Sequence, residues 1–471
     1  MMSRTILCGA LMLLGGCAAD ALRNHGMESS NFARERFRAE ATLLTDDAAR
    51  SRARDAATAV LSRGPLTQDD AVRVALLQSP AFQSVLADTT REAADAARTS
   101  SPANPVFTFE RLVRRDHGET DLDIGRMLSV TLIDWLTWPL RRDAGDAMAL
   151  RARVAATSAV VDTATAAREA WVRAVAAEQA LGYFEQVMGA ADASAELAKR
   201  MYEAGNFSRL QRARQHAFYA DAAAQLTRAR QSSVAAREHL GRTLGLDATQ
   251  SAKLVLPERL PDLPMEVRGE PALTQDALDQ RIDVQMARAE LAGVAKRLGY
   301  EVPTSFINAF HVAGLRNSET GKPPQRGFEL EVSLPLFDFG NAQRASSQAT
   351  YLAALNRAAQ TAIDAASRTR ESYATYRAAH DLAQHYRLEV VPLRKTIADE
   401  TLLKYNGMLA SVFDLLGESR AQVSSVIQAI EAERDFWLAD AALQATQLGR
   451  VSSTVSMTAN AQSTGGSAPA H

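Results

Sequence analysis

From Phe328 to Leu336 the chain alternates strictly. Phe328, Leu330, Val332, Leu334 and Leu336 fall on one parity, and Glu329, Glu331, Ser333 and Pro335 on the other. That period of two predicts a strand with one apolar and one polar face. Phe107, Phe109 and Val113 share a parity interrupted by Arg111, and Leu128, Val130 and Leu132 share another. Strand pairs are therefore expected near 104–114 with 125–137, and near 302–314 with 326–338. Turn-rich Arg114–Asp123 and Asn317–Gln325 separate the partners. Runs of about ten residues suit oblique strands through a bilayer. A soluble hairpin packed on helices fits the same pattern.

Elsewhere the period changes to that of helices. Leu150, Val154, Thr157, Val161 and Ala164 are spaced 4,3,4,3, and Trp171 and Val175 continue the seam. Leu181, Phe184, Met188, Ala191, Ala195, Ala198 and Tyr202 resume it after a phase slip, of the kind that retwists a coiled coil. Tyr376, Ala379, Ala383, Tyr386, Val390, Leu393 and Ile397 form a second seam. About 30 alanines between 141 and 240 favour helix. A helix over 140–203 would be about 96 Å long. Gly189 and Pro392 occupy equivalent places in the two seams and predict a paired kink.

The chain repeats once. Leu66-Thr-Gln-Asp69 recurs as Leu273-Thr-Gln-Asp276, Leu128–Leu132 as Leu330–Leu334, and Tyr202 with Ser208 as Tyr405 with Ser411. Near-constant offsets across separated blocks define a duplicated unit of roughly 200 residues. Each unit reads as a helix (67–99; 274–300), a strand pair, and two long helices (140–203 and 208–245; 341–405 and 411–449). The expected organisation is 1–16 signal peptide, 17–65 lipidated N-terminal segment, 66–253 first repeat, 254–272 inter-repeat segment, 273–449 second repeat and 450–471 disordered tail. Residues 18–65 are expected to be irregular.

The 471 residues carry 53 basic and 55 acidic side chains. This near balance argues against a nucleic-acid partner. No apolar run of about 18 residues follows residue 17, so no helical membrane span is expected. The N-terminus has one early charge, Arg4, an apolar run to Leu14, and then Gly15-Gly16-Cys17. It reads as a short secretory signal whose end resembles a bacterial lipobox, in which Cys17 takes the lipid. Multiple acyl chains anchor strongly. Removing the signal also removes Cys8, leaving no disulfide. No HExxH, phosphate loop, dinucleotide fingerprint or nucleophile elbow occurs. His380 and His385 are five apart, a poor spacing for a metal pair. No catalysis, cofactor or metal is expected.

Four strands cannot close a membrane barrel, whose minimum is about eight, and an open edge cannot sit in lipid. If these strands span, subunits share one barrel: two chains give eight strands, three give 12 and room for a pore.

Val332-Ser-Leu-Pro-Leu-Phe-Asp-Phe-Gly340 resembles the strand-to-helix junction of the TolC-like outer-membrane efflux channels, here in a lipid-anchored form. Met201–Ser208 and Lys404–Ser411 resemble that family's two helix–helix turns. The match covers about 65–449. The resemblance implies a mostly α fold with a small β part. Long coiled-coil helices would form a periplasmic α-barrel, and four strands per protomer a 12-stranded trimeric outer-membrane β-barrel. The termini and the inter-repeat segment would form an equatorial belt. It implies a homotrimer set in outer-membrane lipid, the passive duct of a tripartite pump, docking a periplasmic adaptor and an inner-membrane transporter. The rival reading is a structural periplasmic coiled-coil lipoprotein without a pore. By position, Ala204, Gly205, Asn206 and Phe207 would form one adaptor-docking edge, and Gly407, Met408 and Leu409 the other. Gly205 aligns with Met408, while Gly407 falls one residue early, which predicts a different backbone in the second turn. Asp414 falls at an acidic gate position, where threefold proximity would raise its pKa. Its first-repeat equivalent is Gln211.

Overall fold

A computed structural model describes residues 16–116, 119–271, 274, 278–304, 310–332 and 340–450. The expected signal up to Gly15, strand residues Leu334 and Leu336, most of the 332–340 junction, and the tail beyond Arg450 lie outside the described residues.

The chain forms two compact units, and each draws on both repeats. Unit one comprises Met1–Thr45, Phe82–Val160 and Leu273–Ala366; unit two comprises Asp46–Ala81, Val161–Ala272 and Ser367–His471. The long helices pass from one unit into the other, so the compact units cut across the duplication.

The N-terminal region is helical rather than irregular. Helix α1 spans Gly16–Phe37 and α2 spans Asp47–Leu61. Asp46 caps α2 by accepting from the Ala49 amide, which satisfies a free helix donor. Ala53, Ala57 and Leu61 bury one side of α2. The charged residues between them, read as loop, are its solvent face.

The helix expected over 67–99 is two helices, α3 (Gln68–Gln78) and α4 (Pro80–Ser100). Proline disfavours helical geometry in the residue before it, and Ser79 sits at φ −58°, ψ 121°. Thr67 caps α3, so the Leu66-Thr-Gln-Asp69 block is a helix-start signal.

In unit one, β1 (Val106–Asp116), β2 (Glu119–Thr131), β3 (Phe310–Glu319) and β4 (Gln325–Val332) form an antiparallel sheet in the order β1-β2-β3-β4. The first hairpin is longer than expected at its turn. Charged Arg114–Asp123, read as turn, pairs as strand through Arg114↔Asp121 and Arg115↔Thr120. It also ends earlier, because Leu132–Leu136 forms a short helix, α5, leading into α6 (Trp138–Glu203). Pro139 lies in the first turn of α6, where a missing N–H costs nothing. The helix before β3, expected at 274–300, is α9 (Ile282–Thr304), so β3 begins later than predicted. Gly145 lets α6 lie against α4: a Cβ there would meet the Ala96 carbonyl and Ser100 Cβ at 2.8 Å. The Trp138 indole donates to the Ser100 carbonyl at 2.8 Å.

Unit two contains α2, α3, the rest of α6, α7 (Arg209–Leu244), α8 (Ala248–Ala252) and, from Ser367 on, the long helices of the second repeat. Those are α10 (Asn341–His385), a π-helical turn at Tyr386–Val390, α11 (Val391–Asn406) and α12 (Val412–Gln447). The core joins Tyr376, Ala379 and Ala383 of α10 to Ala432, Phe436, Ala439 and Leu443 of α12. Leu263 and Val267 of the inter-repeat segment pack against it.

The two repeats differ where the paired kink is expected. α6 is unbroken through Gly189, and only the second repeat departs from α geometry. There the Val391 amide donates to the Tyr386 carbonyl, five residues back. Such a turn holds one extra residue. The seam accordingly moves by one: Leu393 is exposed, while Arg394 is half-buried and Ala398 buried.

Candidate functional site

The register of the sheet sorts its chemistry onto two faces. Cross-strand partners lie on the same face and successive residues on opposite ones. One face carries the rows Phe310–Val332, Val130–Val312–Leu330, and Phe107–Leu128–Gly314–Phe328. Phe328 is 82% exposed, and Phe107, Leu128, Leu330 and Val332 are also exposed. The same face then carries the row Phe109–Arg126–Arg316–Arg326. The opposite face carries Glu110, Asp121, Asp123, Glu319, Glu329 and Glu331. The side of Gly125 confirms the assignment, because a Cβ there would meet Glu110 Cβ at 3.3 Å and Asn317 Oδ1 at 3.5 Å. One face is thus apolar with an arginine row, and the other is polar and acidic. The alternation along β4 was readable from sequence; the alignment of three arginines across three strands was not, because only the register reveals it.

The two helix–helix turns lie in unit two. In the first, the amides of Ala204, Gly205 and Asn206 donate to the carbonyls of Arg200 (3.0 Å), Tyr202 (3.0 Å) and Met201 (2.8 Å). In the second, those of Gly407, Met408 and Leu409 donate to Leu403 (3.0 Å), Tyr405 (3.0 Å) and Lys404 (2.8 Å). These three bonds correspond at an offset of 203, and the first turn adds one from the Phe207 amide to the Met201 carbonyl at 3.1 Å. The second turn thus keeps the left-handed position and three of the four backbone bonds of the first. Gly205 is left-handed at φ 79°, and Met408 adopts the same region at φ 62°. The displaced Gly407 sits at an ordinary φ of −82°. Met408 is 94% and Leu409 82% exposed, whereas Phe207 is half-buried.

Each turn ends in the same cap. Ser208 and Gln211 form a capping box at the start of α7, and Ser411 and Asp414 form one at the start of α12. The Asp414 carboxylate accepts from the Ser411 amide at 2.9 Å and from its hydroxyl at 2.7 Å. These bonds hold the Asp414 pKa below the ordinary value, the hydroxyl contributing most, in the direction opposite to that expected for a crowded gate carboxylate. Two arginines that sequence reasoning passed over sit nearby. The Arg214 guanidinium lies 3.7 Å from the Phe413 ring centroid, and Arg420 reaches Asp221 at 3.2 Å. They bind α7 to α12. Their partners come from different repeats, so no local motif announces them.

The inter-repeat segment straps unit two. The Leu260 amide donates to Gln179 Oε1 at 3.1 Å, and the Trp437 indole to the Pro261 carbonyl at 3.1 Å. The Arg268 amide donates to the Tyr376 hydroxyl at 3.2 Å, and its side chain pairs with buried Asp440 at 2.7 Å. The Asp440 carboxylate, through its hydrogen bond first, raises the Arg268 pKa. Cys17 is the second residue of α1. Gly189 and Pro392 lie along α6 and α11.

One four-stranded sheet, to which each repeat contributes a hairpin set between long helices, is the protomer architecture of the TolC-like outer-membrane channels, and the chain has that fold. Among solved structures it is similar to CusC, described in terms of transmembrane channel formation, at 12% identity over 82% of this chain and 93% of that one, with a TM-score of 0.69. The Campylobacter jejuni outer membrane channel CmeC is 16% identical over 81% and 85%, with a TM-score of 0.68. The Vibrio cholerae outer membrane protein VceC is 15% identical over 81% and 96%, with a TM-score of 0.66. No protein-family profile matches the sequence, and no curated protein does either.

Proposed function

We propose that this protein is the outer-membrane channel of a tripartite efflux pump, a passive export duct closed by three identical protomers. The observation that carries the reading is the segregated sheet. An exposed apolar face backed by an acidic one suits a wall between lipid and water, and it occurs in a chain with the fold of outer-membrane channels. Three protomers supply 12 strands, enough to enclose a lumen. Cys17 is the lipid anchor, and the helices extend into the periplasm.

The two helix–helix turns are the adaptor-docking edges, built from Ala204, Gly205, Asn206 and Phe207 and from Gly407, Met408 and Leu409. Exposed Met408 and Leu409 supply apolar surface for a partner's helical tips. Asp414 is the candidate periplasmic gate, with its carboxylate both capping α12 and facing the threefold axis. The inner-membrane transporter is reached through the adaptor. The channel itself carries out no reaction.

The test is reconstitution. The purified lipidated protein should migrate as a heat-modifiable trimer and conduct ions in planar bilayers. A strictly monomeric chain without conductance overturns the reading. Phe207→Glu and Leu409→Glu should abolish pump-dependent export while leaving the trimer intact; full export in both removes the turns from docking.

A further inference from the structure

Arg126, Arg316 and Arg326 stand directly opposite one another on three adjacent strands. Neighbouring strands are about 4.8 Å apart, and like charges held opposite repel. On that face of the sheet the strands carry no acid, and Arg111 and Arg115 add to the same sign. Among the described residues the three have no ion-pair partner, and Arg316 and Arg326 are exposed. Three guanidinium groups are thus held together on an apolar face, with no acid among the described residues of that face to balance them.

The row also has a defined place. In the β3–β4 hairpin it lies beside the turn, at the second residue of β4, whereas β1 and β2 continue beyond it through Arg111–Ile124 and Val113–Leu122. Between the row and the ends where β1 and β3 follow helices run the three apolar rows. Six residues separate Phe310 from Arg316, about 20 Å along the strand. An amphiphile with acyl chains along the apolar rows would bring its headgroup to the arginines. Guanidinium groups bind phosphate through paired, charge-assisted hydrogen bonds.

We propose that this band is a binding site for a phosphorylated glycolipid of the outer leaflet, with acyl chains against Phe107, Leu128, Phe328 and Leu330 and phosphates on Arg126, Arg316 and Arg326. The proposal rests on the channel reading, which puts this face toward lipid and the turns at the cell exterior. Three adjacent guanidinium groups suit a headgroup bearing more than one phosphate, which a single-phosphate glycerolipid lacks. The site recurs once per protomer.

The experiment measures the dissociation temperature of the purified lipidated trimer in detergent on adding bisphosphorylated lipid A, dephosphorylated lipid A or phosphatidylglycerol. Bisphosphorylated lipid A should raise it, as a ligand of the assembled state does, and the other two should not. Combined Arg126→Gln, Arg316→Gln and Arg326→Gln should weaken that lipid's effect about tenfold in the concentration required. The Lys triple variant should retain most of it, and Arg114→Gln, on the opposite face, should leave it unchanged. Equal stabilisation by the dephosphorylated lipid or by phosphatidylglycerol overturns the proposal, using the native protein alone. So does an unchanged response in the Gln triple variant. Conductance in phosphatidylcholine bilayers separates the two readings: a trimer that conducts but ignores lipid A phosphates loses only this site, whereas a chain that never conducts loses the channel.

Discussion

At Met408 the backbone adopts a conformation that glycine takes without strain, and the equivalent residue of the first repeat is glycine. A side chain in the left-handed region costs on the order of 1 kcal/mol. Met408→Gly should therefore stabilise the protein by about 0.5–1 kcal/mol in denaturant unfolding, after allowing for the greater freedom of glycine when unfolded. The same variant should weaken adaptor binding in a pull-down, because it removes the most exposed apolar side chain of the turn. Gain in both stability and binding would show that the methionine has no docking role. Ser411→Ala should cost about 1 kcal/mol by removing a helix cap. The Asp414 pKa is depressed in the folded chain, so its contribution is present above the ordinary carboxylate value and is lost as pH falls through the folded value. Asp414→Gln tests the gate cleanly. Gln211 occupies the same capping position in the first repeat, so the cap survives and only the charge is lost. Reduced divalent-cation block in planar bilayers is expected, and unchanged block would remove Asp414 from the gate.

Among the elements, the π turn is the one that sequence reasoning could not place. Pro392 marked a disturbed helix, but proline alone does not say whether the helix bends or takes in an extra residue. The predicted seam at Leu393 and Ile397 is displaced to Arg394 and Ala398, as an inserted residue requires. Deleting exposed Leu388 together with Pro392→Ala should restore α geometry and leave both flanking seams in register. The trimer should still form, judged by its heat-modifiable migration. An inserted alanine at the same place should prevent it. The strands illustrate a related limit. Alternation located them, yet charges near the β1–β2 turn disguised strand as loop, and only pairing fixed their ends. Helix-start signals were more reliable, since Thr67, Ser208 and Ser411 each cap through a local bond that needs no partner from elsewhere. The inter-repeat strap, in contrast, depends on contacts between distant segments. Arg268→Ala should cost about 1–2 kcal/mol, because it leaves the buried Asp440 carboxylate with Gln444 as its donor, while the half-exposed arginine limits the loss. A cost near zero would mean that water replaces the arginine.

For the whole molecule, the acidic face of the sheet becomes the lining of the proposed pore. The channel should prefer cations, with a reversal potential of that sign in a salt gradient. Replacing Glu329 and Glu331 with Gln should reduce the preference by about twofold or more, most visibly at low ionic strength. An anion-selective pore would contradict the face assignment. The sheet order leaves β1 and β4 each with one unpaired side. A single subunit has two such open margins, and a chain of two joined subunits still has two; only the third removes them all. Most of the gain therefore arrives at the last joining step, so intermediates of two should be scarce and ring formation should behave as an all-or-none event.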